Sequence, residues 1–133
     1  MREEEWESLW ADKVNISDEQ GEISSLLEWE QPLEGSCEIT HYGNQGLEIV
    51  RAGFGKIYGV RQICAGLGIS MEQVLAIGDN ENDNEMLTQA GIGAAVGNAE
   101  AATKACADLT ARKESGAGAA EIIRRLCLEE NAK

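Results

Sequence analysis

The stretch that most constrains the fold is residues 74–87, where a short apolar run leads directly into a cluster of small polar residues. The run Val-Leu-Ala-Ile at 74–77 is typical of a strand that is buried on both faces of a parallel sheet. Gly78 and the polar residues 79–84 follow, and Met86 and Leu87 then begin a new apolar face. The predicted local structure is therefore a strand, a polar turn and a short helix. Because sites in open parallel sheets lie beyond the carboxyl ends of the strands, this turn is the first place to look for chemistry.

Two carboxylates and one amide in this turn form a candidate site. Asp79 and Asp83 are four residues apart with Asn82 beside them, and such oxygen ligands suit a hard cation such as Mg2+. The plainer alternative is structural, because Asn and Asp are also common in turns and at helix starts. An EF-hand loop is a poor match, since Asn84 stands where the turn glycine is required and Ala90 stands at the position of the distal glutamate.

Three short motifs in a fixed order carry a family resemblance. The turn reads GDNENDNEM at 78–86, Ala90-Gly91 follows, and a run of small residues ends in Gly97-Asn98-Ala99. This order resembles motif IV and the region after it in the haloacid dehalogenase (HAD) superfamily, and most closely its Cof-type phosphatases with a large α/β cap (type IIB). The resemblance implies a HAD-like, doubly wound parallel core and a Mg2+-dependent phosphatase acting on a small phosphorylated metabolite, often a sugar phosphate.

A second motif, Gly53-Phe54-Gly55-Lys56, lies upstream. Alone it is weak, because it lacks the spacing and the Ser or Thr of a P-loop. The resembled family places its motif III lysine at the start of the helix before the motif IV strand. Lys56 occupies that position, although Ile57 replaces a common glycine. A lysine there would offset the charge of a phosphoryl group and of the aspartate that attacks it. The alternative is a surface lysine at a helix start.

The resemblance also implies a role for each site residue. Asp79 would bind Mg2+ directly, and Asp83 would bind it through water or orient the site. Asn82 would contact phosphate or hold the loop, and Lys56 would neutralise charge.

One part of the family pattern is missing from these 133 residues. The family's nucleophile and its general acid and base lie in a DxDxT/V motif, and no DxD sequence occurs here; motif II has no assignable position either. We therefore expect the chain to correspond to the second half of a complete family member, inactive alone or in need of a partner that supplies the aspartate nucleophile. The alternatives are a non-catalytic interaction or regulatory module derived from a truncated HAD fold, and a truncated product or excised fragment.

The hydrophobic pattern predicts two domains that meet near Gly53. Residues 53–133 alternate between helix and strand, as in a doubly wound α/β core, and residues 1–52 read as part of an α+β cap. The elements predicted for the core are a helix at 56–67, strands at 74–77 and 93–96, a helix at 100–107, a strand-like link at 108–110, a break at 115–118 and a helix at 119–128. Those predicted for the cap are helices at 2–13 and around 23–27, a strand at 14–17 and a strand pair at 37–42 and 47–51.

The missing nucleophile strand has a structural consequence. In the family it lies beside the motif IV strand, so its absence would leave residues 74–77 as an unpaired apolar edge. Such an edge invites pairing with another chain. We expect either a homodimer or pairing with a separately encoded N-terminal HAD half through this edge.

Composition excludes several other classes. With 11 basic and 24 acidic residues, the net charge of −13 argues against nucleic acid or an anionic membrane as a partner. No apolar run approaches the ~18 residues of a membrane span, and the start MREEEWE does not resemble a signal peptide. The sequence has one histidine, His41, which we interpret as an ordinary strand residue, and its scattered cysteines form no CxxC pair; both features argue against a zinc cluster. We expect buried free thiols and a cytoplasmic protein.

Overall fold

The computed structural model describes residues 11–17, 33, 35–41 and 46–129. The chain forms two compact units, Met1–Gly55 and Lys56–Lys133. The assignment of residues 1–52 to a cap and of 53–133 to a core stays a prediction. In the described part of the chain, no helix is both long enough and apolar enough to cross a membrane.

The first unit contains an antiparallel sheet. Its strands are β1 (Lys13–Ser17), β2 (Cys37–His41) and β3 (Gly46–Arg51), in the order β1-β3-β2. Ile49 of β3 lies opposite both Val14 and Ile39, so the central strand aligns apolar residues of its two neighbours. The predicted strand pair at 37–42 and 47–51 is confirmed over residues 37–41 and 47–51, and residue 42 lies outside the described residues.

Two predicted helices of this unit fall largely outside the described residues. They are the helix at 2–13 and the one around 23–27. The first prediction is wrong at its end, because Lys13 begins β1 instead of closing a helix. Lys13 pairs with Val50 of β3, so pairing across the sheet decides the conformation at this position.

The second unit alternates between helices and strands. Its helices are α1 (Lys56–Leu67), α2 (Asn84–Gln89), α3 (Ala101–Cys106) and α4 (Ser115–Ile123), and its strands are β4 (Leu75–Gly78), β5 (Ile92–Ala95) and β6 (Leu109–Thr110). Two 3₁₀ turns, Met71–Gln73 and Glu81–Asp83, flank β4, and a π-helical segment, Arg124–Glu129, continues α4.

The three strands form a parallel sheet in the order β4-β5-β6, with β4 at one edge. Helices cover both of its faces. Ala94 of β5 packs with Ile122 of α4. The next residue back, Gly93, lies against Leu87 of α2, whose carbonyl oxygen would be 2.3 Å from a Cβ at Gly93. Successive strand residues point to opposite faces, so α2 and α4 lie on opposite sides. The predicted doubly wound α/β class is confirmed.

Helix α1 has the predicted bounds. Ile57 and Cys64, seven residues apart, form its buried side. Gly68 follows the last helical residue with φ +68°, a left-handed conformation that glycine adopts without the steric cost of a Cβ. This position ends the helix, as predicted.

Helix α4 differs from its prediction. It begins at Ser115, whereas the glycine-containing residues 115–118 were expected to break the chain and the helix to start at 119. Gly118 is buried, and a Cβ there would lie 2.3 Å from the Lys113 carbonyl oxygen and 3.1 Å from Val96 Cβ. The glycine thus allows the helix to pack closely on the preceding loop, and this packing outweighs its poor helix propensity.

The expectation of buried thiols is correct only in part. The cysteines are free, and Cys64 is buried, but Cys106 and Cys127 are exposed. Cys106 ends the short helix α3, whose buried residue is Thr103. Cys127 precedes the exposed Leu128 in the last helical segment.

Candidate active site

The candidate site is built on the turn that follows β4. Asp83 is only 3 % exposed, and its carboxylate reaches back to the start of the turn. Its Oδ2 accepts hydrogen bonds from the backbone N–H groups of Asp79 (2.9 Å) and Asn80 (3.3 Å). The short spacing between Asp79 and Asp83 thus serves first to close the turn, because one carboxylate satisfies backbone donors that would otherwise be left unpaired at its start.

Lys56 comes to this turn from the first residue of α1. Its Nζ donates to Asp83 Oδ1 (2.5 Å) and to Asn82 Oδ1 (2.9 Å). The Lys56 side chain is half exposed while that of Asp83 is 5 % exposed, so the ammonium group bridges a buried carboxylate and solvent. Of the residues chosen from sequence, the structure therefore brings Lys56, Asn82 and Asp83 into direct contact.

The ionisation of Asp83 follows from these partners. Burial alone would raise the pKa of its carboxyl, but the hydrogen bond from Lys56, the backbone donors of Asp79 and Asn80, and the lysine charge together hold the pKa below its ordinary value of 3.8. Asp83 is therefore ionised at neutral pH, and both of its oxygens already accept hydrogen bonds. It is placed to orient Lys56 and the turn.

Asp79 is in a different environment. It is exposed, and its backbone carbonyl accepts a hydrogen bond from Glu100 N–H at 3.0 Å. Since the Asp83 oxygens already have donors, Asp79 is the one of the two candidate aspartates whose carboxylate is available to a cation. Within the described ranges, no three or more His, Cys, Asp or Glu side chains gather as a metal site. One carboxylate fits Mg2+, which often keeps several waters and binds substrate phosphate as well, and the metal role of Asp83 stays a prediction.

Gly78 is a site residue for which the sequence suggested no role. A Cβ at this position would lie 2.4 Å from Asp83 Cβ and 2.7 Å from Asp83 Oδ2, so no other residue leaves room for the Asp83 carboxylate. The sequence signals were the position of Gly78 between an apolar strand and a polar turn and its place at the start of the GDNENDNEM motif.

The loops after the three parallel strands are tied to one another. Val96 N–H donates to the Gly78 carbonyl (3.2 Å), which joins the β4 and β5 loops, and Gly97 N–H donates to the Lys113 carbonyl (2.8 Å), which joins the β5 and β6 loops. Asn98 Oδ1 also accepts a hydrogen bond from Ser115 N–H at 2.7 Å, at the start of α4. The Gly97-Asn98-Ala99 motif thus joins the loops at the carboxyl end of the sheet. Its sequence did not indicate this role.

Comparisons with known proteins agree with this architecture. The family model of haloacid dehalogenase-like hydrolases matches residues 2–123. A phosphoglycolate phosphatase from Aeropyrum pernix is 40% identical over 85 residues, which are 64% of this chain and 36% of that protein. The chloroplastic endoribonuclease YBEY of Arabidopsis thaliana is 35% identical over 115 residues, which are 85% of this chain but 20% of that protein.

A solved structure shows the same fold. The HAD subclass IIB sugar phosphatase BT4131 superposes with a TM-score of 0.75 and 25% identity, over 92% of this chain and 45% of that one. The chain thus spans less than half the length of each of these three proteins. The parallel sheet and the Lys56–Asp83 contact agree with the family model, which matches residues 2–123. The chain therefore belongs to the haloacid dehalogenase-like hydrolase family.

Proposed function

We propose that this chain carries the lysine and the acidic turn of a Mg2+-dependent phosphatase site for small phosphorylated metabolites. The observation that supports the proposal most is the fixed position of Lys56. A buried, ionised Asp83 and the Asn82 amide hold its ammonium group at the turn after β4, the turn that also carries the exposed Asp79.

Lys56 would act by charge. A phosphate monoester carries up to two negative charges, and the attack of a carboxylate on it brings further negative charge close by. An ammonium group that is already oriented offsets this charge without first having to be ordered. Asp83 would be a positioning residue, since it contacts Lys56 and the backbone and has no free oxygen.

Asp79 would be the protein ligand of Mg2+. The ion would reduce the repulsion between the phosphate oxygens and the approaching carboxylate. Asp79 would hold the cation at the carboxyl end of β4, on the same turn as Asn82, and Asn82 would contact phosphate or hold the turn.

The attacking carboxylate would come from residues outside these 133, which contain no DxD sequence. As the family resemblance implies, an oxygen of the first aspartate of the missing motif would form a bond to phosphorus while the bond to the ester oxygen breaks. That oxygen would take a proton from the second aspartate of the motif, and water would then hydrolyse the aspartyl-phosphate. The isolated chain would then be inactive.

The substrate class is supported by what the named relatives have in common. Phosphoglycolate and a sugar phosphate are both small phosphate monoesters, and a phosphatase of each kind is among the proteins similar to this chain. The endoribonuclease name belongs to a protein of which this chain matches one fifth, so we propose no nuclease activity from it.

The test is release of inorganic phosphate from 2-phosphoglycolate and from glucose 6-phosphate. The chain is assayed alone and together with a co-expressed polypeptide that contains the portion of the sugar phosphatase not matched by this chain. We expect release only with both polypeptides and Mg2+, and its loss in Asp79→Asn.

The matched control is Glu81→Gln, which removes an exposed acidic group from the same turn and should keep the activity. Equal activity in Asp79→Asn and Glu81→Gln would refute the metal role of Asp79. Absence of activity in every mixture would favour the non-catalytic module instead.

A further inference from the structure

The chain enters α1 through a short linker that contains two glycines, Gly53 and Gly55. The linker begins with a turn that its own backbone closes, since Phe54 N–H donates to the Arg51 carbonyl at 3.0 Å. Gly53 has φ +78°, the value expected at the third position of a type II turn, where glycine is favoured. The turn uses the Phe54 N–H and the Arg51 carbonyl, and the Gly53 N–H donates to a residue outside it.

That acceptor is the side chain of Glu38 in β2. Its Oε1 accepts a hydrogen bond from Gly53 N–H at 2.7 Å, although the two residues are 15 positions apart in the sequence. Its other oxygen, Oε2, would lie 2.6 Å from a Cβ at Gly55. Glu38 is half-buried and pairs in the sheet opposite Val50 of β3. One carboxylate on the sheet thus reaches both glycines of the linker, and we call this arrangement the Glu38 anchor.

The start of α1 needs such support, because its own sequence offers little. Gly55 immediately precedes the helix and has no side chain that could cap it. The first turn of α1 contains no acidic residue, although negative charge is favourable near the partial positive charge of a helix N-terminus. The Glu38 carboxylate occupies the space into which a side chain at Gly55 would extend. It therefore brings an acidic group to the residue before the helix.

Lys56 depends on this helix start because it is the first residue of α1. Its ammonium group is fixed by Asp83 and Asn82, whereas its backbone position follows from the linker and the first helical turn. The N–H groups of a first turn have no acceptors within the helix, so a helix frays from its first residue. The conformation of the linker thus decides how firmly the backbone of Lys56 is held.

We propose that Glu38 is a positioning residue for Lys56, because its carboxylate holds the linker in the conformation from which α1 starts. Without the Glu38 anchor, the linker samples other conformations and the backbone of Lys56 moves with it. The ammonium group then leaves Asp83 for part of the time. The inference rests on the proposed function for the chemical role of Lys56, and Glu38 acts through the linker and not on the phosphate.

Three substitutions of Glu38 in the full 133-residue chain separate reach from charge. Glu38→Ala removes the acceptor, Glu38→Asp keeps the charge on a shorter side chain, and Glu38→Gln keeps the length and a carbonyl oxygen. Hydrogen exchange of the Gly53 amide measures the contact. Its protection should fall about tenfold in the first two variants and by no more than about threefold in Glu38→Gln. Where protection is lost, the NMR signal of the Lys56 side chain should move toward that of an exposed lysine.

A substitution in the linker tests the same contact from its other side. A Cβ at Gly55 should displace the Glu38 carboxylate, because the end of a long side chain moves more readily than the backbone. Gly55→Ala should therefore reproduce the loss of Gly53 protection and the shift of the Lys56 signal in a chain that keeps Glu38. In the Glu38→Ala chain, where the carboxylate is gone, adding Gly55→Ala should change the protection by less than about twofold.

The matched control is Thr40→Ala. Thr40 is a half-buried polar residue of β2, and it lies two positions after Glu38, on the same face of the strand. Its loss should leave the Gly53 protection and the Lys56 signal unchanged.

The phosphate-release assay links the Glu38 anchor to the reaction. In the mixture with the co-expressed polypeptide, Glu38→Ala should lower kcat about tenfold and change KM little, because Lys56 would offset charge that develops in the transition state. Thr40→Ala should keep both constants.

Three results would overturn the proposal: unchanged Gly53 protection in Glu38→Ala and Gly55→Ala, an unmoved Lys56 signal where that protection is lost, or equal shifts of the Lys56 signal in Glu38→Ala and Thr40→Ala. Failure of the proposed function gives a different pattern. Lost Gly53 protection and a shifted Lys56 signal, in a chain whose mixtures release no phosphate, support the Glu38 anchor and contradict the phosphatase activity.

Discussion

Asp83 stays ionised although it is buried, because three donors converge on its carboxylate. The backbone N–H groups of Asp79 and Asn80 share one oxygen, and Lys56 Nζ takes the other. Hydrogen bonds to charged groups contribute more to stability than neutral ones. A single side chain thereby closes the turn and fixes the lysine, so its loss should affect both the stability and the site.

The first prediction concerns this contact. Asp83→Asn should lower the free energy of unfolding by about 1–3 kcal/mol, because an amide placed there directs donors at other donors. Denaturant unfolding followed by circular dichroism measures the change. As a control, Lys13→Met removes the partner of Glu48, a pair whose lysine is half exposed, and should cost at most about 1 kcal/mol. Equal changes in the free energy of unfolding would show that the Asp83 contacts stabilise the chain no more than a half-exposed ion pair does.

The second prediction concerns pH. The pKa of Asp83 is lower in the folded chain than its ordinary value of 3.8, so the unfolded chain binds a proton first as the pH falls. The stability that Asp83 contributes is therefore full above about pH 5 and is lost as the pH falls below 3.8 and through the folded pKa. Unfolding free energies of the native chain and of Asp83→Asn should converge over this acidic range. A difference that stays constant down to strong acid would contradict the lowered pKa.

The third prediction concerns the space beside Asp83. Gly78→Ala places a methyl group 2.4 Å from Asp83 Cβ and should destabilise the chain by about 1–3 kcal/mol through overpacking. It should also break the contact between Lys56 and Asp83, and the NMR signal of the Lys56 side chain should then change its chemical shift. Gly59→Ala is the matched control, because it adds the same methyl group in α1 with nothing within 4 Å. If both changes leave the Lys56 signal in place, Gly78 does not position the site.

At the scale of elements, the start of α4 shows how close packing can override local propensity. Gly118 and Gly97 both pack against the Lys113 carbonyl, so the loop before α4 lies against the helix and the neighbouring loop. The glycine-rich residues 115–118 predicted a break because propensity alone disfavours a helix there. Gly118 also packs against Val96, which follows β5 and would lie 3.1 Å from a Cβ at Gly118. A local sequence pattern does not contain that contact.

The fourth prediction separates two glycines of this helix. Gly116 has nothing within 4 Å of a Cβ, so Gly116→Ala should stabilise the chain by up to about 1 kcal/mol. Gly118→Ala would bring its Cβ to 2.3 Å from the Lys113 carbonyl and should destabilise by roughly 1–3 kcal/mol. The two melting temperatures should therefore shift in opposite directions. A shared direction would mean that propensity, not packing, determines this segment.

Across the whole molecule, the two kinds of sheet were predictable because their sequence patterns differ. Alternation at 37–42 predicted a half-buried antiparallel strand, and the apolar run at 74–77 predicted a buried parallel one. The strand bounds moved by one residue, to Leu75–Gly78 and Ile92–Ala95, because pairing decides them. The proximity of Lys56 to Asp83 depends on the path of the chain, since α1 returns its first residue to the end of β4. The sequence was enough to choose the candidate site residues, but it did not show which of them contact one another.

The most direct test of the central claim is a Mg2+ titration of the chain in the presence of inorganic phosphate, followed by the backbone amide NMR signals of the turn after β4. We expect the amide signals of Asp79 and Asn80 to shift and to reach saturation at millimolar Mg2+, and we expect these shifts to disappear in Asp79→Asn and to persist in Glu81→Gln. Shifts that survive in Asp79→Asn, or that Glu81→Gln removes equally, would contradict the assignment of Asp79 as the cation ligand of a phosphate site.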